Sequence, residues 1–297
     1  MRISELLPLR RVNFSFEFFP PKTDDGVESL LRTVAALRVL EPTFVSVTHG
    51  ALGSNRARAI EVAKRIKAEL EVEVMAHLTC VGRTRDELRD VLRELQAAGI
   101  ENVLALRGDP PKGEERFVPT PGGLRYASEL TALIAAEFPF TVAGAAYPEK
   151  HPEAPSPEAD LAALGEKVRA GAEFLVTQLF FDNEAYFAFV RAARAAGIGV
   201  PIVPGIMPIT NYEQIARMTK MCGARIPERL LAELEARRDE PEAVVQLGVA
   251  YTALQCADLL ARGAPGIHFY TLNQSPATRA VVSALLASRS FQELASA

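Results

Sequence analysis

Short β-rich runs alternate with helical patterns along the whole chain, and this regularity constrains the fold more than any other feature. The runs are Asn13–Phe18, Thr43–Val47, Glu73–His77, Asn102–Leu106, Phe140–Ala146, Phe174–Leu179, Pro201–Pro204 and Gly266–Phe269. Between them apolar residues recur at three- and four-residue spacing, as in Leu88, Val91, Leu92 and Leu95, the period of a helix with one buried face. Thr84 with Glu87 three residues on makes a capping box, and Ser156-Pro157 offers an N-cap with proline at the first helical position. Gly99, Gly171 and Gly197 lie just past helix ends, where a left-handed residue stops a helix. Strict β-α alternation implies a parallel sheet, and eight units in 297 residues favour closure into a (β/α)8 TIM barrel over an open doubly wound sheet. An open sheet would also need a phosphate-binding glycine fingerprint after a strand, and none follows. Residues 211–262 hold two or three helical patterns, broken at Pro227 and Pro241, where one would suffice. We read them as extra helices after the seventh strand, within a single barrel domain spanning residues 1–297.

Charge and cysteine usage narrow the function classes. The 33 basic and 37 acidic side chains leave a net charge of −4, without the basic footprint of a nucleic-acid binder. The three cysteines, Cys80, Cys222 and Cys256, are scattered with no CxxC pair, so neither a disulfide framework nor a zinc site is expected. Arg2, Glu5, Arg10 and Arg11 interrupt the region where a signal peptide needs an apolar run. No stretch approaches 18 uncharged apolar residues, so no membrane span is expected. The expectation is a soluble cytoplasmic protein.

A (β/α)8 barrel builds its active site at the carboxyl ends of its strands. Here those ends carry Glu17, Thr48, His77, Arg107 with Asp109, Tyr147 with His151, Gln178, Gly205 with Met207, and Tyr270 to Asn273; His49 lies just beyond Thr48. In Phe14-Ser15-Phe16-Glu17-Phe18-Phe19 the strand alternation puts the phenylalanines at 14, 16 and 18 on one face and Glu17 on the other. Phenylalanines turned to the helices leave Glu17 pointing into the mouth. A carboxylate among aromatic rings disfavours its charged form, which is how a general acid near neutral pH is made. A Glu that caps the next helix or pairs with Arg fits the position equally well. Arg107-Gly108-Asp109-Pro110-Pro111 suits close approach of a ligand to the backbone, or else a local Arg–Asp pair with a proline turn. Gly108 to Gly113 has P-loop spacing but Glu114 follows where Lys is required, so that motif fails. Tyr147 to Glu153 is a proline-braced loop leading to a helix bearing Asp160 and Lys167. A metal site from Glu17, His77, Asp109 and His151 lacks any recognised ligand spacing, and none is expected. Residue chemistry alone stops at a barrel enzyme with a polar mouth.

At these same strand ends the sequence resembles the bacterial flavin-dependent 5,10-methylenetetrahydrofolate reductases. The matching words are SFEFFPPKT, FVSVTHGA, AHLTC, ALRGDPP, AAYPEKHPEA, TQLFFD, PGIMPITN and HFYTLN, in order, one per predicted unit. The resemblance implies a TIM-barrel flavoprotein that reduces 5,10-methylenetetrahydrofolate to 5-methyltetrahydrofolate with NADH or NADPH, through FAD and by a ping-pong route. It implies that Glu17 is the general acid toward N10 and that Asp109 stabilises the iminium cation and tunes the flavin. Gln178 and Gln214 would contact the folate. Thr48, His49, His77, Arg107, Gly108, Asp109, Tyr126, Ala127, Tyr147, His151, Asp160 and Lys167 would bind FAD. A homo-oligomer is also implied. This chain departs from the family at Ala163 and Glu166, where relatives often carry Asn and Arg, and at Gln274, where they often carry Arg. A barrel aldolase would need a strand-end lysine, a metal hydrolase clustered ligands, and a flavin- or folate-binding carrier subunit would need no acid at Glu17.

Overall fold

The computed structural model describes residues 1–10, 12–48, 56–110 and 117–295, the side chains of Arg56 and 289–295 excepted. Nine strands are present among them: β1 (Asn13–Phe18), β2 (Phe44–Val47), β3 (Val74–Thr79), β4 (Asn102–Leu106), β5 (Thr141–Ala146), β6 (Phe174–Thr177), β7 (Ile202–Val203), β8 (Gly205–Ile206) and β9 (Gly266–Tyr270). Every pairing is parallel, in the order β7-β6-β5-β4-β3-β2-β1-β9-β8. The seventh sequence run, Pro201–Pro204, therefore holds only β7, and a further strand, β8, follows it directly. Pro204 has no N–H to give to a ladder, and it separates β7, which pairs with β6, from β8, which pairs with β9. Because both ends of the sheet belong to this one stretch of chain, the sheet closes into a barrel.

The helices follow the sequence signals. After α1 (Ile3–Leu6) come α2 (Asp24–Arg38), α3 (Arg56–Leu70), α4 (Arg85–Ala97), α5 (Ala127–Glu137), α6 (Pro157–Arg169) and α7 (Asn183–Ala195). The capping box of Thr84 and Glu87 opens α4, and Ser156 caps α6 with Pro157 in its first turn. Three extra-helix segments, α8 (Tyr212–Cys222), α9 (Glu228–Glu235) and α10 (Pro241–Ala261), separate β8 from β9, with Pro227 and Pro241 at the starts of the second and third. The last helix is α11 (Pro276–Ala295).

α10 corrects the sequence reading on one point, since it is long and apolar enough to cross a membrane by length and composition. It packs here against α7 and α11. Gln255 and Tyr251 donate from it to the carbonyls of Phe180 and Phe181, and Gly248 lies so close to Ile209 that a Cβ would meet its carbonyl oxygen.

Two apolar layers hold the barrel. Phe14, Phe16 and Phe18 turn outward onto Val27, Leu30, Leu31 and Val34 of α2 in the main core, each burial worth about 2 kcal/mol. Inside the barrel, Phe44, Met75, Leu104 and Phe174 form a second cluster closed from below by Ile3 and Leu7, with the Ile3 N–H held by the Asn102 side chain at 2.7 Å. With the floor filled by side chains, the opposite end is where a ligand can enter.

Candidate functional site

Glu17, the penultimate residue of β1, turns its side chain away from the Phe14-Phe16-Phe18 face and toward the barrel interior, where it lines a cavity of about 610 Å3 at the mouth. Its neighbours are not aromatic rings alone, and this corrects the sequence expectation for its charge. Three groups converge on its Oε2: the Ser46 hydroxyl, His77 Nε2 and His268 Nε2, each at 3.4 Å. Burial would raise the Glu17 carboxyl, but the His77 imidazole, the His268 hydrogen bond and charge, and the Ser46 hydroxyl outweigh it and hold it below the usual carboxylate value. His77 is displaced the same way, downward by burial, with Glu17 pulling it up and His268 pushing it down. His77 Nε2 is buried and makes no hydrogen bond despite its closeness to Glu17.

The chain leaving β1 is clipped to the chain leaving β9. Thr271 Oγ1 donates to the Glu17 carbonyl at 2.6 Å, and Asn273 both accepts from the Phe19 N–H and donates to the Phe19 carbonyl. Leu272 and Asn273 take left-handed φ values of 52° and 60° to reach that arrangement, a strain that non-glycine residues bear only where contacts compensate.

After β4, Arg107 pairs with Glu153 and not with Asp109. Gly108 has φ 88°, and a Cβ there would stand 2.5 Å from Val81 Cγ1, so the turn requires glycine. Asp109 is exposed and lines the same cavity as Glu17.

A second cavity of about 860 Å3 shares Leu106, Arg107, Ala145, Tyr147 and His151 with the first. Tyr147 and His151 stand edge to face at 4.6 Å, and the His151 N–H donates to Asp160 at 2.9 Å. Lys167, which lines the second cavity, donates to the Ala145 carbonyl at 2.7 Å beside the junction. Burial pushes its ammonium down to about 8, against Asp160, which raises it. Tyr126 caps α5 with Ala127 next, and both line this cavity with Ala163 and Glu166.

The strand-end residues thus fall around one continuous opening: Glu17, His77, Arg107, Gly108, Asp109 and Gln178 in the inner cavity, Tyr147 and His151 between, and Tyr126, Ala127, Asp160 and Lys167 in the outer one. Thr48 lies beside β1, its N–H bonded to the Phe18 carbonyl, and neither Thr48 nor Gln214, on the first turn of α8, lines either cavity. His49 lies outside the described residues. Sequence reasoning missed His268, Met218 and Glu153. Strand parity contained the signal for His268, since Ile267 and Phe269 face outward and the residue between them must face in. Among the described residues no three His, Cys, Asp or Glu side chains are grouped as metal ligands.

The sequence model of the methylenetetrahydrofolate reductase family matches residues 2–286. The 5,10-methylenetetrahydrofolate reductase of Escherichia coli is 40% identical over 276 residues, 93% of this chain and 91% of the relative. Methylenetetrahydrofolate reductase (NADH) 1 of Arabidopsis thaliana is 44% identical over 273 residues, 88% of this chain and 46% of the relative. The chain spans about half the length of the plant relatives it matches. Among solved structures, a Clostridium thermocellum protein that binds two copies of 5-methyl-5,6,7,8-tetrahydrofolic acid superposes with a TM-score of 0.64 at 17% identity, covering 94% of this chain and 95% of that one. Dihydropteroate synthase from Stenotrophomonas maltophilia gives 0.55 at 18% identity, covering 95% and 94%. At those identities the two structures share the barrel architecture alone. The family match and the relatives near 40% identity carry more, and the chain belongs to the methylenetetrahydrofolate reductase family.

Proposed function

We propose that this chain reduces 5,10-methylenetetrahydrofolate to 5-methyltetrahydrofolate, with NADH or NADPH as donor and FAD as the resident redox group, in a ping-pong sequence. The observation that carries the reading is Glu17: a half-buried carboxylate at the mouth of a barrel of this family, held by one oxygen and facing a cavity. Two joined cavities suit a ligand as long as a flavin dinucleotide, since single ligand pockets run to roughly 300–1,000 Å3. The fit also rests on Gly108, whose left-handed turn brings bare backbone to the cavity wall, and on His77 Nε2, a buried ring nitrogen near Glu17 that makes no hydrogen bond among the described residues. His77, Arg107, Gly108 and Asp109 would hold the ring end, Tyr147 and His151 the middle, and Tyr126, Ala127, Asp160 and Lys167 the adenylate end. Thr48 and His49, the two residues that follow β2, would add contacts. A flavin held by these residues would supply the hydride transfer from NAD(P)H to the folate.

The chain's own residues supply the rest. Glu17 delivers a proton to N10 as the folate ring opens. Its carboxyl is held low in the open cavity, so the proton must be loaded as ligands cover the mouth: removing water strengthens the burial effect that already opposes ionisation. Asp109 places negative charge beside the iminium cation formed from the folate, the kind of fixed charge that counts most in a water-poor site. Gln178, on the cavity wall, and Gln214, from α8, would orient the folate. The buried thiols of Cys80 and Cys256 suit a reducing cytoplasm, and we assign the chain there, as a homo-oligomer of single-domain barrels. The test is an absorption spectrum of protein mixed with FAD. Retained flavin absorbance, bleached by anaerobic NADH or NADPH and restored by methylenetetrahydrofolate, is the expected result. Folded protein that retains no FAD overturns the reading.

A further inference from the structure

We infer that His268 is a positioning residue for Glu17: anchored by Ser15, it grips carboxylate oxygen Oε2 and so leaves Oε1 as the oxygen presented to substrate. What Glu17 protonates rests on the reductase reading above, while the grip is a property of the chain itself.

The parallel pairing of β1 with β9 sets Ser15 opposite His268. His268 is fully buried, and its ring is fixed on every side. Nδ1 lies 2.8 Å from the Ser15 hydroxyl, one face stacks on Phe44 at 5.8 Å, and Tyr270 meets it edge-on at 5.5 Å. With the Ser15 hydroxyl donating to Nδ1, the ring hydrogen sits on Nε2 and points to Glu17 Oε2 at 3.4 Å. The Ser46 hydroxyl and His77 Nε2 approach the same oxygen. Among the described residues no hydrogen bond reaches Oε1.

This asymmetry decides where a proton can be useful. A proton on Oε2 would face the imidazole and hydroxyl groups that already crowd it. A proton on Oε1 leaves Oε2 free to accept from His268 and stays available to the cavity. The titratable groups around Glu17 are His77 from β3 and His268 and Tyr270 from β9; β2 contributes only the Ser46 hydroxyl.

The inference is tested on FAD-free protein carrying glutamate labelled with carbon-13 at its carboxyl, with the Glu17 signal identified by its loss in Glu17→Gln. In the wild type that signal should titrate below the ordinary glutamate range. His268→Leu removes the donor and should move the midpoint upward by about one pH unit or more, whereas His268→Gln keeps an N–H near the same place and should stay near wild type. With FAD and substrates, His268→Leu should slow folate reduction about tenfold or more and leave NAD(P)H oxidation within about twofold. An unmoved midpoint in folded His268→Leu, or equal losses in both half-reactions, overturns the inference. If His268→Leu does not fold, Ser15→Ala decides, since it releases the Nδ1 anchor: an upward shift supports the grip and an unmoved midpoint overturns it. A wild type that shows the titration pattern yet reduces no folate sinks the reductase reading and leaves the grip standing.

Discussion

The Arg107 guanidinium forks onto Glu153, with Nη1 at 2.7 Å from Oε2, and turns away from Asp109 two residues along its own chain. The pairing pins the β5–α6 loop to the end of β4 and stacks Arg107 over Phe117 at 4.9 Å. It also means that no ion pair to Asp109 forms among the described residues. Its carboxylate stands exposed at the rim of the Glu17 cavity, close enough to Arg107 for its charge to be felt there, and in the proposed reaction it would face the transient cation.

Asp109→Asn should therefore slow the folate half-reaction while leaving flavin reduction by NAD(P)H much less affected. A loss of about tenfold or more in the first step and a few-fold in the second is expected, from the size of single electrostatic contributions in closed sites. Single-turnover rates for each step check it. Equal losses would mean that Asp109 only shapes the pocket.

In the proposed cofactor site, Lys167 would tie affinity to pH. Burial lowers its ammonium to about 8 from 10.5, with Asp160 opposing and Arg107 reinforcing the fall. A lysine whose folded value is depressed costs the fold stability below about pH 8, and that cost is relieved as pH rises toward its unfolded value. Binding an anion beside it works in the opposite sense, because only the charged form attracts phosphate. FAD affinity should fall as pH rises through about 8, and Lys167→Gln should flatten the profile and weaken binding at pH 7. A fluorescence titration from pH 7 to pH 9.5 checks it, and a flat wild-type profile contradicts the assignment.

Glu166, the residue before that lysine on α6, lines the outer cavity and is held by Arg169 in an exposed pair at 2.6 Å. A negative charge near a pyrophosphate is repulsive by on the order of 1 kcal/mol when partly solvated. Glu166→Arg should tighten FAD binding by a few-fold to about tenfold, read as a lower Kd by flavin fluorescence. Unchanged or weaker binding would show that the side chain plays no part at the cofactor.

The sequence carried most of the barrel because its signals are local. Period-two alternation set Phe14, Phe16 and Phe18 against Glu17, and caps such as Thr84 with Glu87 are written within four residues. What it did not carry depends on contacts between distant segments. Glu17 looked like a carboxylate among aromatic rings because Phe16 and Phe18 are its chain neighbours, but those rings face the helices, and its real surroundings come from β2, β3 and β9. His268 lies 251 residues from Glu17 and enters only through the β1–β9 register. The local Arg107–Asp109 pair, one of two alternatives the sequence offers, gives way for the same reason, since Asp109 is near in sequence and Glu153 is near in space. The run Pro201–Pro204 reads as a single strand, yet only the pairing shows that the chain goes on past Pro204 to pair with a second neighbour. Apolar α10 looks unremarkable or membrane-like depending on the window, and its packing on α7 and α11 settles which face is covered.

The most direct test separates the two half-reactions at Glu17. Hydride transfer from NAD(P)H to the flavin needs no acid at this position, whereas opening the folate ring needs a proton at N10, and glutamine keeps the size and polarity of glutamate without being able to supply it. Stopped-flow absorbance of FAD-loaded Glu17→Gln should show bleaching by NADH or NADPH at a near-normal rate. Recovery of absorbance on mixing with methylenetetrahydrofolate should then be slowed by about 10²–10⁴-fold or more, the range of general acid catalysis. Recovery at the wild-type rate would contradict the account, leaving Glu17 as a structural carboxylate and the proton source elsewhere.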